Sequence, residues 1–352
     1  MPTTLKAAVI GSGLISKEHL SFLAQSDRAQ LVGVCDLSLA AAKYAAQRFQ
    51  AEQAYTDYRQ MLSEASPDVV HILTPPQTHT TIATHCLEAG AHVICEKPIA
   101  PTHAEFQALW QVAERVDRQL IENHNYRFNQ PIQAIEQLVQ QGKLGEVQEV
   151  EVRLSLDIRA AGGRFADENL PSPIHKLPAG VIHDFITHLS YLVLRFLPRI
   201  DRVGAAWSNH GGGDLFKYDD LDAIVIGGTT HARIRFSCRT QPEGLVLSVR
   251  GSEGYVETDL FRPYLYRVIP RVGGKQLSPL VNQWVNGWGL MRASTTNFWN
   301  KVMQRTAYEG LHTMLQQTYE ALSTNQPLPI RFEDMERTSQ LVEALLAEEN
   351  RI

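Results

Sequence analysis

Val9-Ile10-Gly11-Ser12-Gly13-Leu14-Ile15-Ser16 is the stretch on which the reading of this chain turns. It lies between a short apolar run, Ala7-Ala8-Val9-Ile10, and a helical pattern over about 14–24. Gly11 permits a tight turn out of a strand, and Gly13 lets backbone approach a pyrophosphate. The helix after the loop offers N–H groups and the positive end of its dipole. Ser16 fills the third glycine position with a small side chain, so helix–strand packing survives. A G-x-G between a strand and a helix is also simply a turn, so the loop is read together with the second strand. That strand, 30–35, leads into Asp36, 20 residues past Ser16. A carboxylate there can accept both ribose hydroxyls of an adenosine and repels a 2′-phosphate, which points to NAD rather than NADP. The plainer reading of Asp36 is a cap for the next helix.

Outward from the loop, apolar runs at 69–73, 91–95 and 119–122 alternate with helical patterns over 38–49, about 78–89 and about 102–117. Such alternation predicts a parallel sheet with helices on both faces, a Rossmann dinucleotide-binding domain over 1–124. After a helix at 131–141 the pattern changes. Residues 147–156 (VQEVEVRLSL) alternate apolar and polar, and 223–226, 232–238, 245–249, 255–258 and 265–269 are further short strands. Ser252-Glu253-Gly254 reads as a hairpin turn. This predicts an open, mainly antiparallel sheet in an α+β domain over 125–352. A helix at 181–197 interrupts it, and helices at 308–323 and 333–348 can pack back on the first domain. The Gly-, Pro- and charge-rich stretch 156–178 is a long loop of the kind that usually carries function.

The chain has 352 residues, too many for one typical domain, with 44% hydrophobic and 20% charged residues, a globular balance. A net charge of −5 supplies no overall field to attract nucleic acid or anionic lipid. Cys35, Cys86, Cys95 and Cys238 form no C-x-x-C pair, and three lie in strand-like runs, so buried free thiols are expected. The start of the chain runs straight toward a strand with no secretory leader visible, and no apolar stretch nears the ~20 residues of a membrane span. The expected location is cytoplasmic.

Further motifs carry a resemblance. They are Leu73-Thr74-Pro75-Pro76-Gln77-Thr78-His79, the run Cys86-Leu87-Glu88-Ala89-Gly90-Ala91-His92-Val93-Ile94-Cys95-Glu96-Lys97-Pro98, and Ala179-Gly180-Val181-Ile182-His183-Asp184-Phe185-Ile186-Thr187-His188. With the opening GSGLIS, the junction 123–129, Gly142-Lys143-Leu144-Gly145 and Arg250-Gly251-Ser252-Glu253-Gly254, the chain closely resembles the Gfo/Idh/MocA oxidoreductases, relatives of glucose–fructose oxidoreductase and inositol dehydrogenase. The resemblance implies an NAD(P)-dependent enzyme that interconverts hydroxyl and ketone on a sugar, sugar derivative or cyclitol. It implies cofactor contacts from Gly11, Gly13, Leu14, Ile15, Asp36, Thr74, Pro75, His79, Glu96 and Lys97, and substrate contacts from Lys97, Tyr126, Arg127, Asp184 and His188. It also implies a homodimer or homotetramer paired through the open sheet face, which would otherwise expose apolar surface.

The chemistry of the residues agrees. Lys97 comes just after a parallel strand, at the end where open α/β sheets hold ligands, and a cation there stabilises developing alkoxide charge. Asp184 and His188 are four apart on one helix and share a face. A histidine can take the hydroxyl proton while hydride leaves, and a neighbouring carboxylate can orient it. Each alone also has a plain reading, a solvated lysine or a satisfied helix histidine. Two features depart from the family pattern. Tyr191 stands where cyclitol-specific relatives often have Asp, which puts an inositol-type clamp in doubt. His183 is the other candidate base, but choosing it would put Ala179 in the acid position. Lesser candidates are Arg159, Arg164, His175 and Lys176, as an anion site or solvated loop charge. Trp284, Trp288, Trp299 and Tyr308 read as core or interface packing ahead of sugar stacking. Glu309 and His312 form a lone E-x-x-H, and no metal is expected. Two other functions remain open, a non-catalytic dinucleotide-sensing regulator and an NAD-cycling glycoside or ether cleavage.

Overall fold

The computed structural model describes residues 4–160, 162–167, 172–211, 213, 215–270, 274–303 and 308–350. The chain divides into two compact units, one of Met1–Asn125 with Tyr308–Ser339, the other of Tyr126–Ala307 with Gln340–Ile352. Residues 308–339, expected from the sequence in the second domain, group with the first unit.

The first unit runs β1 (Leu5–Ile10), α1 (Ser16–Gln25), β2 (Ala29–Cys35), α2 (Leu39–Phe49), β3 (Gln53–Tyr55), α3 (Tyr58–Ala65), β4 (Val69–Ile72), α4 (His79–Glu88), β5 (His92–Cys95), α5 (His103–Arg115) and β6 (Leu120–Glu122). All pairings are parallel, in the order β3-β2-β1-β4-β5-β6. This is the expected Rossmann sheet. Ala7, Ala8 and Val9 of β1 and Val69, Val70 and Ile72 of β4 are fully buried, as strands covered on both faces must be. Ser38 caps α2, Asp57 caps α3 and Thr102 caps α5 by accepting backbone N–H groups of the first turns. The structure adds β3 and α3, three and eight residues long, to the elements expected from the sequence.

The second unit contains α6 (Gln130–Gln140), β7 (Val147–Ser155), α7 (Val181–Leu194), β8 (Arg202–Ser208), β9 (Asp220–Gly227), β10 (Thr230–Ser237), β11 (Gly244–Gly251), β12 (Tyr255–Asp259), β13 (Tyr266–Val268) and α8 (Gly274–Val302). Its sheet has the order β13-β12-β11-β7-β10-β9-β8, antiparallel except for β7 beside β10. The expected mainly antiparallel sheet is present, with β8 and the long α8 added. Two further helices, α9 (Glu309–Thr324) and α10 (Phe332–Ala347), close the chain, and the division between units falls within α10.

Val150, Val152, Leu154, Leu221, Ala223, Val225, Ala232, Ile234, Phe236, Leu245, Leu247 and Val249 point inward to a core shared with Ile182, Ile186 and Leu189 of α7. On the open face the alternate residues form cross-strand ion pairs beside exposed apolar side chains such as Ile224. Arg233 pairs with Asp222 on that face, Arg235 with Asp220, and Arg250 with Glu149. Among the described residues no helix is long and apolar enough to cross a membrane.

Candidate active site

In the first unit the chain reverses its winding between the adjacent strands β1 and β4, the place where open α/β sheets leave a crevice. The glycine loop lies there. Gly11 leaves β1 with φ +100°, and a Cβ on it would stand 2.8 Å from the Leu73 carbonyl oxygen at the end of β4. Both the conformation and the contact demand glycine. Gly13 differs, because a Cβ there would meet nothing within 4 Å. The protein's own packing gives no reason for glycine at 13, whereas a ligand lying against the backbone does.

Asp36 closes this loop from the side. Its Oδ2 accepts the Ser12 N–H at 2.7 Å and its Oδ1 accepts the Ser38 N–H at 2.9 Å. A carboxylate offers about four acceptor sites, so capacity remains for ribose hydroxyls. Ser38, not Asp36, provides the side-chain cap of α2. The first turn of α1 has no side-chain cap, and Ser12 Oγ is buried without a hydrogen-bond partner. An approachable loop, an uncapped helix start and an acid beside them fit the pyrophosphate and ribose of a dinucleotide. Leu14 is 79% exposed, Ile15 is the residue before α1, and Thr74 and Pro75 come after β4 on the other side of the crevice.

His79 takes another part. It is fully buried, with Nε2 2.7 Å from the Thr74 carbonyl and Nδ1 2.8 Å from the Pro98 carbonyl. Its side chain holds the Thr74 loop to the turn after Lys97 and does not line the crevice.

Glu96 ends a buried hydrogen-bond chain that crosses this unit. Its Oε1 accepts from Asn123 Nδ2 at 2.5 Å and faces His19 Nε2 at 3.2 Å. His19 Nδ1 is 2.8 Å from His71 Nδ1, and His71 Nε2 is 2.9 Å from Tyr319 Oη. A carboxylate only accepts, so His19 donates through Nε2. With one proton on each ring, His71 then donates through Nδ1 and accepts the Tyr319 hydroxyl. Burial, and then His19, push the His71 pKa well below its ordinary value. Burial raises the Glu96 pKa, but His19, Lys97 and Asn123 outweigh it and hold the carboxyl below the usual range. A negative charge is thus fixed next to Lys97, itself partly exposed just past β5. Nothing local in the sequence signals this chain, because its bonded members lie as far as 52 and 248 residues apart.

The second unit holds Asp184 and His188 on α7, 9% and 8% exposed, in a helix otherwise buried on every side. His188 Nδ1 lies 2.7 Å from Tyr191 Oη, which also accepts the Tyr126 N–H at 3.2 Å. The Tyr126 ring packs on the imidazole with centroids 4.6 Å apart. Tyr191, a departure from the family pattern in the sequence, is therefore the residue that orients His188. A phenol both donates and accepts, so Nε2 of His188 can carry a proton or lack one while Nδ1 stays bonded. Arg127 is buried, its guanidinium 5.9 Å from the Phe128 ring centre. His183 is fully buried.

The lesser candidates are used elsewhere. Arg159 bonds the buried Asp219 carboxylate at 2.8 Å, His175 Nε2 lies 2.9 Å from the Phe165 carbonyl, and Arg164 lies over the Phe165 ring. Lys176 is exposed. In the first unit His312 faces Glu18 at 3.6 Å. Among the described residues no group of three His, Cys, Asp or Glu could hold a metal ion. All four cysteines are free and buried, and burial pushes the Cys35 and Cys86 thiols up to about 12.

Residues 5–124 match the family model described as "Oxidoreductase family, NAD-binding Rossmann fold". D-glucoside 3-dehydrogenase of Escherichia coli (strain K12) is 33% identical over 144 residues, 41% of this chain and 41% of the relative. D-apiose dehydrogenase of Paraburkholderia graminis is 34% identical over 140 residues, 40% of this chain and 37% of the relative. These matches span about two fifths of each relative. Across 99% of this chain and 98% of the other, the fold matches that of levoglucosan dehydrogenase in complex with NADH and levoglucosan, with a TM-score of 0.81 at 18% identity.

Proposed function

We propose that this chain belongs to the Gfo/Idh/MocA oxidoreductases, whose NAD-binding Rossmann model matches residues 5–124, and that it is an NAD-dependent dehydrogenase or reductase acting on a CH–OH group of a sugar, sugar derivative or cyclitol. The glucoside and apiose dehydrogenases act on sugars by their names, which supports that substrate class. The observation that carries the reading is Gly13, open on its ligand side at the β1/β4 crevice and flanked by the Asp36 carboxylate. Gly11, Gly13, Leu14 and Ile15 would hold the pyrophosphate, Asp36 the adenosine ribose, and Thr74, Pro75 and Glu96 the remainder of the cofactor. NAD, when bound, supplies the acceptor for a hydride. Four free buried thiols fit a reducing cytoplasm.

The chain's own groups handle the oxygen and its proton. In the oxidation direction His188 takes the substrate hydroxyl proton at Nε2, the C–H hydride departs, and a C=O forms. In reduction the same atom returns the proton. Tyr191 keeps the imidazole oriented through both states, because Nδ1–H donates to its hydroxyl oxygen before and after Nε2 takes the proton. Lys97 hydrogen-bonds the substrate oxygen and stabilises its developing charge. Asp184 orients the substrate or His188 from the same helix face.

The test is purified protein with NAD and a polyol panel, monitored by cofactor absorbance. Turnover that falls ~100-fold or more in His188→Ala is the expected result, the lower end of what general acid–base catalysis contributes. Full turnover in both Lys97→Ala and His188→Ala overturns the assignment. Cofactor binding without turnover of any polyol favours the sensing regulator, and product without net NADH favours redox-assisted cleavage.

A further inference from the structure

The buried network that ends at Glu96 holds more polar chemistry than packing needs. Tyr319 of α9, His71 of β4 and His19 of α1 are fully buried. Three hydrogen bonds join them to Glu96 in a single row, and both nitrogens of each ring are used. Apolar side chains would fill the same sites without taking polar groups out of water, so the fold alone does not call for the row. Its members are also fixed in angle. His19 stands edge-on to His71, with ring planes 89° apart, and Phe22 of α1 packs on Tyr319 with centroids 5.6 Å apart. Tyr319 has no exposed surface, so the row is not a proton exit to water. The other end differs. The Glu96 side chain keeps 13% of its surface exposed. Its Oε1 takes both protein bonds, from Asn123 and from His19, and among the described residues Oε2 has no hydrogen-bond partner.

We propose that Tyr319, His71 and His19 are positioning residues, which pin one oxygen of Glu96 so that the other is presented to a hydroxyl group of the bound cofactor. This rests on the function proposed above. Glutamate is a long side chain with several rotatable bonds, and a group that meets a ligand must hold its place within roughly 0.5 Å. Ordering it in advance removes that cost from binding, which is worth about two- to tenfold in affinity. The proton order makes the device directional. The carboxylate only accepts, so His19 donates through Nε2 and accepts at Nδ1. His71 then donates through Nδ1 and accepts the Tyr319 hydroxyl at Nε2. Removing that hydroxyl leaves His71 Nε2 as a buried acceptor with no donor. The ring then turns or moves its proton to Nε2, and either change takes the donor away from His19 Nδ1. In a low-dielectric interior each bond also polarises the next, so the loss passes along the row to Glu96. A residue of α9, close to the end of the sequence, is thereby tied to ligand binding at the crevice.

The test is NAD affinity of the full chain by titration calorimetry, in variants that touch no ligand. Tyr319→Phe keeps the ring and removes the hydroxyl that starts the row. His19→Leu cuts the row at Glu96. Each should weaken NAD binding about two- to tenfold. The two together should weaken it no more than His19→Leu alone, because both break the same row. Thr318→Val is the control. Thr318 is as deeply buried on the same helix, but its hydroxyl bonds the Met314 carbonyl of that helix, outside the row. Whatever it does to the melting temperature, NAD affinity should stay at the wild-type value. A second measurement needs neither a ligand nor a variant that folds. In NMR spectra of the wild type with nitrogen-labelled histidine, His19 should carry its proton on Nε2 and His71 on Nδ1. The opposite tautomer of either ring overturns the proposal. So does wild-type affinity in Tyr319→Phe, additive losses in the pair, or an equal loss in Thr318→Val. A wild type that binds no NAD overturns the proposed function and this inference with it, whereas a wild type that binds NAD with Tyr319→Phe unaffected overturns this inference alone.

Discussion

Gly13→Ala adds one methyl group where the protein places nothing within 4 Å, and Gly11→Ala adds the same group 2.8 Å from the Leu73 carbonyl oxygen. The two substitutions should therefore fail in different ways. At Gly11, φ +100° puts the new side chain in a region that costs ~1–2 kcal/mol. Relieving the Leu73 contact adds strain of similar size, so about 3 kcal/mol in all is expected. At ~2–4 °C per kcal/mol for a domain of this size, the melting temperature should drop on the order of 10 °C. At Gly13 the backbone is outside the left-handed region, and stability should stay within ~0.5 kcal/mol of wild type. The methyl would instead occupy the approach of the pyrophosphate. A tenfold weaker dissociation constant corresponds to about 1.4 kcal/mol. A thermal-shift titration separates the two. NAD at ~100 times the wild-type dissociation constant stabilises the wild type by ~2.7 kcal/mol, and at the same concentration the Gly13→Ala variant by roughly half of that. A Gly13→Ala protein that binds NAD as wild type does, or that melts as early as Gly11→Ala, refutes the argument that a ligand dictates this glycine.

Three other outcomes rest on the same geometry. Tyr191→Phe leaves His188 Nδ1 without its 2.7 Å hydroxyl partner and should lower kcat about tenfold, or ~1.4 kcal/mol of barrier, with KM little changed and the pH profile displaced; an unchanged profile would mean that Tyr191 does not position the base. Asp36→Asn removes the charge proposed to hold the ribose, and since a hydrogen bond to a charged group contributes ~1.5–3 kcal/mol, the NAD-to-NADP preference should fall at least tenfold in binding titrations; an unchanged ratio assigns selectivity elsewhere. Burial is the largest cause holding His71 and His79 below their ordinary 6.5, so below about pH 6.5 the unfolded chain binds protons that the folded chain refuses. Stability is then fully present at neutral pH and lost as pH falls, at up to ~1.4 kcal/mol per unit for each histidine. Urea midpoints from pH 7 to 5 should show this slope, shallower in His71→Gln; equal slopes would remove His71 from the account.

The parts of this molecule legible in its sequence are those whose signals are local. The glycine loop, the acid after the next strand and the strand–helix alternation lie within tens of residues of one another, and together they dictate the parallel sheet. The strands β7 and β10 announce themselves by period-two patterning because one face is buried and the other is not. β3 is silent because three residues hold no pattern. α8 reads only as a Trp-rich segment, since its apolar face points to solvent and its asparagine face inward, the reverse of what amphipathic reading assumes. Tyr191 looks like a loss when compared with a family pattern, and only the fold shows its hydroxyl between His188 and the Tyr126 N–H. The Tyr319–His71–His19–Glu96 chain is beyond any local reading, since strands and helices far apart in sequence bring its members together. The ion pairs of the second sheet are silent in the sequence for a related reason. Period-two patterning shows that one face of a strand differs from the other, and cross-strand ion pairs such as Arg233–Asp222 become visible only when the register is known.

Passage of a substrate C–H hydride to NAD, while His188 takes the hydroxyl proton, can be followed by tracing a deuteron. A polyol that turns over in the panel, deuterated at its reacting carbinol carbon, should deliver that deuterium to the nicotinamide ring of the NADH recovered by mass spectrometry. The transfer should be lost in His188→Ala that still binds NAD. Unlabelled NADH from the deuterated polyol, or labelled NADH formed at the wild-type rate by His188→Ala, would contradict the account.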